Sequence, residues 1–233
     1  MKKSSSNFPP ISSIVRWNDH HLIIMDKAHG MPVQEDPTGD MSLQQLAQMY
    51  TKTKLHLITR LDRPAAGLVL FAKSKDAAAH SQSILHSPLF EKSYIAIVEG
   101  SLEKKENQLK NYLTHHKKDK KAFVAEEESE EFKEALLSYK VLAEYENYSA
   151  LKIKLDTGRF HQIRAQLAHL GHPIKGDIKY GARRKNDDRS IHLCAYQMKI
   201  QSKSKQKSIE CVSQLKTEDT LWNETLKAIN EKA

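Results

Sequence analysis

Cysteine is nearly absent: Cys194 and Cys211 are the only two in 233 residues. Two thiols make no disulfide framework, so the sequence points to a reducing compartment, the cytoplasm. Long apolar runs are missing as well. The start, Met1-Lys2-Lys3-Ser4-Ser5-Ser6, carries charge with no hydrophobic stretch behind it and reads poorly as a signal peptide. No segment is long and apolar enough to span a bilayer as a helix. Glycine is sparse, at eight residues, yet Gly158, Gly171, Gly176 and Gly181 fall in one short segment. Acidic residues are outnumbered by basic ones, 29 against 37, for a formal charge of +8. Such an excess attracts polyanions, nucleic acid among them, although a well-solvated basic surface has the same composition. What is present in quantity is apolar: 39% hydrophobic residues suffice for a sizeable core and exclude wholesale disorder.

Residues 1 to 12 read as a flexible tail containing Ser and Pro, and residues 13–233 as a single domain without internal repeats or linkers. The run His21-Leu22-Ile23-Ile24-Met25 is a short strand ending in a turn at Lys27 to Pro32. Ser42 caps a helix reaching Tyr50, and Ser74 caps an Ala-rich helix reaching Leu85. Between them, Gly67 to Ala72 reads as a buried strand, and Tyr94 to Val98 as another. The charge runs of 101–133 suggest exposed hairpins or a mobile insertion. Strands are expected near 134–145, 148–155 and 191–200. An amphipathic helix is expected from Arg159 to Leu170, with Ile163, Leu167 and Leu170 on its apolar face and Gly171 past its end. A last helix holds Leu221, Trp222, Leu226 and Ile229. Strands and helices mix without a βαβ rhythm, so the expected class is α+β with a mixed, mostly antiparallel sheet and flanking helices.

Two stretches carry chemistry. In His56-Leu57-Ile58-Thr59-Arg60-Leu61-Asp62-Arg63-Pro64 a carboxylate stands between two arginines and then runs through Gly67 into the apolar strand. Strand ends and loops are where a rigid scaffold presents a reactive group, although an Arg–Asp pair at a loop is also an ordinary structural feature. The second stretch, Leu155 to Gly181, crowds Arg159, Phe160, His161, Gln162 and Arg164 onto a helix that keeps an apolar face. His161, His169 and His172, and the pair His115-His116, lack the spacing of a zinc site and read as hydrogen-bonding or solvated groups. Thr157-Gly158-Arg159 is no nucleotide-triphosphatase phosphate loop, and Cys194 reads as packed rather than nucleophilic.

With these stretches in this order, and with Lys92-Ser93-Tyr94-Ile95-Ala96-Ile97-Val98-Glu99-Gly100 between them, residues 18 to 200 resemble RluA-type RNA pseudouridine synthases. Asp26 to Val33 resembles the family's early Lys-Pro-x-Gly turn, with Ala28 in place of Pro. The resemblance implies a pseudouridine synthase catalytic domain whose cleft crosses the middle of the sheet, with no separate N-terminal RNA-binding module. It implies Asp62 as the catalytic carboxylate, Arg60 as the arginine that displaces the target base, and Tyr94 as the tyrosine that stacks on it and is a candidate for proton transfer. It also implies Arg164 as the partner of the carboxylate and Ile163 as an apolar wall. Arg159, His161 and Gln162 are carried with them as substrate-binding residues. Departures from the pattern are Thr59 where His is usual, Ala65-Ala66 for a small polar pair, and Cys194 in place of His.

The implied reaction breaks the bond from base to sugar, turns the base and joins its carbon 5 to the sugar. No electron is transferred and no water consumed, so no cofactor or metal is expected. A carboxylate serves as nucleophile or stabilises charge on the sugar, and a base must finally take the proton from carbon 5. The expected partner is ribosomal or transfer RNA, with no membrane and no need for more than a monomer. The competing reading is a catalytically silent RNA-binding or RNA-chaperone relative.

Overall fold

The computed structural model describes residues 10–201, 208–215 and 217–231. Residues 1–9 of the expected tail lie outside the described residues. The elements are α1 (Ile11–Ile14), β1 (Val15–Asn18), β2 (Leu22–Lys27), α2 (Leu43–Thr51), β3 (His56–Leu57), β4 (Ala66–Ala72), α3 (Lys75–Ile84) and β5 (Phe90–Glu99). They continue with β6 (Glu106–His116), β7 (Lys121–Ala125), β8 (Lys133–Glu144), β9 (Tyr148–Leu155), α4 (Gln162–His169), β10 (Leu193–Gln201), β11 (Ser208–Val212) and α5 (Thr220–Asn230). The class is α+β, as expected. One sheet runs in the order β1-β2-β4-β10-β5-β9-β8-β6-β7, with β3 beside β4 and β11 beside β10. The contact of β4 with β10 is parallel, and the other strand pairs are antiparallel.

Local chemistry explains most elements. Ser42 and Gln45 form a reciprocal capping box at the start of α2, and Ser74 accepts from the Ala77 N–H at the start of α3. All seven residues of β4 are buried, which is why it reads as a continuous apolar run. At the end of α4, Gly171 takes φ +90°. The His172 and Gly171 N–H groups then donate back to the carbonyls of Leu167 and Ala168, closing the helix.

Two sequence expectations need correction, and a third is settled between its alternatives. Ile11, inside the expected tail, begins α1 and packs on the core with Met25 and Leu43. Of the two readings of 101–133, the hairpin holds and the mobile insertion does not: β6 and β7 form a hairpin that extends the main sheet from β8. The helix expected from Arg159 to Leu170 begins only at Gln162, and Leu170 is 37% exposed, so it does not share the buried face of Ile163 and Leu167. No helix among the described residues is long and apolar enough to cross a membrane.

Two faces of the sheet matter for function. Tyr94, Ala96 and Val98 of β5 pack with Ile163 and Leu167 of α4. The alternate residues Ile95 and Ile97 pack on the other face with Trp222 of α5. At the junction of β4 and β10, Gly67 has φ +110°, and a Cβ there would overlap the backbone of Ala195. Both strain and overlap penalise any side chain. Gly67→Ala is therefore expected to destabilise the fold by about 3 kcal/mol or more. Chemical denaturation would measure it, and a loss under ~1 kcal/mol would show that the two strands part easily.

Candidate active site

Asp62 lies on the loop between β3 and β4, and its carbonyl accepts from the Ala65 N–H in a tight turn. The loop is clamped from outside. The Arg63 carbonyl accepts from the Gly30 N–H, and the Pro64 carbonyl from the Ile191 N–H and from His29 Nδ1. Below it, the 1% exposed Lys27 at the end of β2 sends Nζ to the carbonyls of Arg63 (3.0 Å), Ala65 (2.6 Å), Met31 (2.9 Å) and Ala28 (3.0 Å). Burial pulls the Lys27 ammonium down to about 7, against the charge of Asp62, which favours it. Arg63 turns away from Asp62 to pair with Asp36 and Asp40. Of the two arginines flanking Asp62, one is thus structural.

The counter-charge comes from α4, 102 residues on. Arg164 is 4% exposed. Its Nη1 donates to Asp62 Oδ2 at 3.0 Å, while Nε and Nη2 grip Asp177 at 2.6 and 2.8 Å. Burial works against this charge, but Asp177 foremost and Asp62 after it outweigh burial and push the guanidinium above its ordinary range. The same Nη1 lies 3.0 Å from His161 Nε2, whose Nδ1 is 2.9 Å from the Tyr180 hydroxyl. Burial holds His161 down at about 4, so its ring is neutral at pH 7. Since Arg164 can only donate, Nε2 accepts and Nδ1 carries the proton, donated to the Tyr180 oxygen. That oxygen also accepts from the Ala122 N–H at 2.8 Å, and burial raises the phenol to about 12. His161 takes φ +53°, an uncommon conformation for a side chain with a Cβ, and stacks on Phe160, which stacks on His115. Asp62 Oδ2 and His161 Nε2 are 3.6 Å apart, and the Asp62 side chain keeps 24% exposure. The result is a carboxylate fixed on one side by a buried guanidinium and open to solvent on the other.

Tyr94 is 8% exposed and shares a core cluster with Ile163, Ala65 and Leu61. Burial, and after it the charge of Asp62, pushes its phenol above the ordinary range, so it presents a protonated ring at neutral pH. Arg60 stands apart, exposed, at a surface depression shared with Gln34, Gln44 and His56, without a hydrogen bond or ion pair among the described residues. Besides His161, two more of the residues expected to touch substrate are engaged within the protein. The Gln162 amide accepts from Thr157 and the Arg159 N–H and donates to the Leu136 carbonyl, and the Arg159 side chain donates to the Glu134 carbonyl. Gln162 is 3% exposed and braces the loop that leads into α4.

The structure thus brings Asp62, Arg164 and His161 into contact and sets Tyr94 and Ile163 together in the adjoining core. Sequence reading missed Lys27 and Tyr180 as parts of the site. The signal for Lys27 was a lysine closing the apolar run Leu22-Ile23-Ile24-Met25 just before a Gly–Pro turn. Among the described residues, no three His, Cys, Asp or Glu side chains converge as a metal site requires.

Known proteins are similar to this chain in sequence and in fold. The sequence model of the RNA pseudouridylate synthase family matches residues 21–169. An uncharacterized RNA pseudouridine synthase of Aquifex aeolicus is 31% identical over 183 residues, 74% of this chain and 56% of that protein. A tRNA pseudouridine synthase C of Vibrio parahaemolyticus is 30% identical over 186 residues, 74% of this chain and 75% of that protein. The chain therefore spans little more than half the length of the first relative and three quarters of the second. The structure of human RNA pseudouridylate synthase domain containing 4 superposes with a TM-score of 0.73 over 94% of both chains, at 21% identity, a likeness of fold. With well over half its length matched by the family model, this chain belongs to the RNA pseudouridylate synthase family.

Proposed function

We propose that this protein isomerises specific uridines in ribosomal or transfer RNA to pseudouridine, using the Asp62 carboxylate as nucleophile or as stabiliser of charge on the sugar. The observation that carries this reading is the bond from buried Arg164 to Asp62 in a site that leaves the carboxylate partly open. Arg164 holds the acid in place through its bond at 3.0 Å, while the Lys27 clamp beneath the loop fixes its backbone. A carboxylate so held can attack a carbon or face a developing cation without reorganising.

The base must leave its stack, at a cost of a few kcal/mol. Arg60, exposed and unengaged, can fill the space it vacates. Tyr94 offers an aromatic face for the extruded base, and Ile163 backs that face. The phenol is held protonated, which suits it to donate a hydrogen bond or a proton and makes it a weak acceptor for the carbon 5 proton. Two free, buried cysteines suit a reducing compartment, so the proposed setting is the cytoplasm.

The test is direct. Purified protein is incubated with total RNA from cells lacking it, and the RNA is digested and assayed for pseudouridine by mass spectrometry. New pseudouridine at discrete sites is expected. Tight RNA binding with no new pseudouridine would favour the silent RNA-binding relative instead.

A further inference from the structure

The face of the sheet that carries Ile95 and Ile97 is covered by α5 only in part. Alternation places Ser93 and Glu91 of β5, and Lys152 and Lys154 of β9, on this same face. Lys140 of β8 stands directly opposite Lys152, Ser138 opposite Lys154, and Lys199 of β10 opposite Glu91. Together these residues line an open groove of about 660 Å³ to which no residue of α5 contributes. Asp62, Tyr94 and Arg164 are not among its walls.

The charges in this groove are poorly compensated. Lys140, Lys152, Lys154 and Lys199 line it with three glutamates, while a fifth lysine, Lys92, is buried beneath them with its ammonium 5.0 Å from the Tyr94 ring centroid. Lys140 reaches only Glu106, at 3.9 Å, with both side chains more than 70% exposed. Among the described residues no carboxylate lies within 4 Å of Lys152, Lys154 or Lys199. Two ammonium groups directly opposed across a ladder repel each other, and this fold gains nothing in return from Lys140 facing Lys152. The Ser93 hydroxyl at the base of the groove is buried without a partner. The aromatic and aliphatic members of the lining, Tyr139 and Ile153, are 5% and 0% exposed, so a protein partner finds no apolar anchor.

We infer that this groove is a second RNA-binding surface, in which Lys140, Lys152 and Lys154 hold the phosphodiester backbone of the substrate outside the catalytic cleft. The inference rests on the reading of the protein as an RNA-modifying enzyme. Lysine and serine contacts to phosphate position a nucleic acid without reading its sequence, which is the chemistry present here. Because groove and cleft lie on opposite faces, an RNA must be long enough to pass around the sheet to touch both. A short hairpin reaches the cleft alone.

The test compares two RNAs and two variants. The probes are an unfractionated transfer-RNA pool and a short uridine-containing stem-loop. The variants are Lys140→Gln/Lys152→Gln/Lys154→Gln in the groove and, as a control of equal charge, Lys117→Gln/Lys118→Gln/Lys120→Gln at the β6–β7 turn. Filter binding over a salt series is expected to show the groove variant about tenfold weaker on transfer RNA, with a salt slope shallower by about 2–3, the effect of three phosphate contacts. Its affinity for the stem-loop is expected to be unchanged. Equal affinity of groove variant and wild type for transfer RNA overturns the inference, as does an equal loss on both probes. A change in sedimentation with no change in RNA affinity also overturns it, assigning the groove to a second copy of the chain. The melting temperature of the groove variant is expected to hold or rise as the opposed charges disappear. Should that variant fail to fold, Lys154→Glu alone carries the same comparison. Wild-type protein that makes pseudouridine while the groove variant binds normally sinks this inference only. Wild-type protein that makes none sinks the enzymatic reading itself.

Discussion

Asp62→Asn is expected to lower single-turnover pseudouridine formation by roughly a thousandfold or more while leaving a folded protein that still binds RNA. The amide keeps the shape of the carboxylate but can neither attack a carbon nor stabilise a cation. The fold should survive, because Arg164 retains its two bonds to Asp177 when Asp62 loses its charge. The Lys27 clamp grips main-chain carbonyls rather than the Asp62 side chain, so the loop should also keep its shape. RNA affinity should hold or increase, since removing a negative charge weakens no attraction to a polyanion. Rapid-quench kinetics with the purified variant would measure the rate, and normal turnover would remove Asp62 from the mechanism.

Arg164→Lys should be nearly as severe, for a different reason. The resemblance implies the Asp62 carboxylate as the partner of Arg164, and the nearby acids Asp156 and Asp177 offer a bracing partner instead. The structure has both at once, with the two-point grip on Asp177 and a single bond to Asp62. Lysine keeps the charge but offers no planar fork, so it cannot span both carboxylates. Turnover per folded molecule is expected to fall by about a hundredfold or more, and stability by about 2–3 kcal/mol, as one buried acid loses its partner. Asp177→Asn separates the two effects: it should cost stability while the bond to Asp62 persists, with a smaller loss of rate. Rate, RNA affinity and melting temperature measured on one preparation would resolve this. An Arg164→Lys protein with the wild-type rate per folded molecule would show that Arg164 only braces the helix.

Elements with local causes were legible in the sequence. Ser42 and Ser74 announced α2 and α3 because caps act within one turn, and Gly171 marked the end of α4 for the same reason. The start of α4 was misread because Gly158 and the polar residues after it resemble a helix N-terminus. In the fold the Gln162 side chain holds Thr157 and Arg159 in a loop, and the helix begins after His161 in its left-handed conformation. The charge runs of 101–133 hid the alternation that places Tyr112 and Thr114 of β6 partly inside and Asn111 and Leu113 fully inside. The contact of Asp62 with Arg164 was legible through the motifs around the two residues. Their supports were harder to find, because Lys27, Tyr180 and Ala122 meet the site only through tertiary contacts, and no spacing encodes a lysine bonded to carbonyls 36 and 38 residues away.

The place of β10 in the sheet bears on when the site can exist. Residues 193–201 lie between β4 and β5, and these two strands do not pair with each other. The strand that carries the loop of Asp62 and the strand that carries Tyr94 are therefore joined by a segment made long after both. During synthesis the acid stays on a separate piece from the tyrosine and the arginine, which β5, β9 and α4 bring together, until this strand slides between the two pieces. Non-local closure of this kind makes folding slow and cooperative. On the proposed function, it also means that a nascent chain completes its site only after almost all of the domain has emerged.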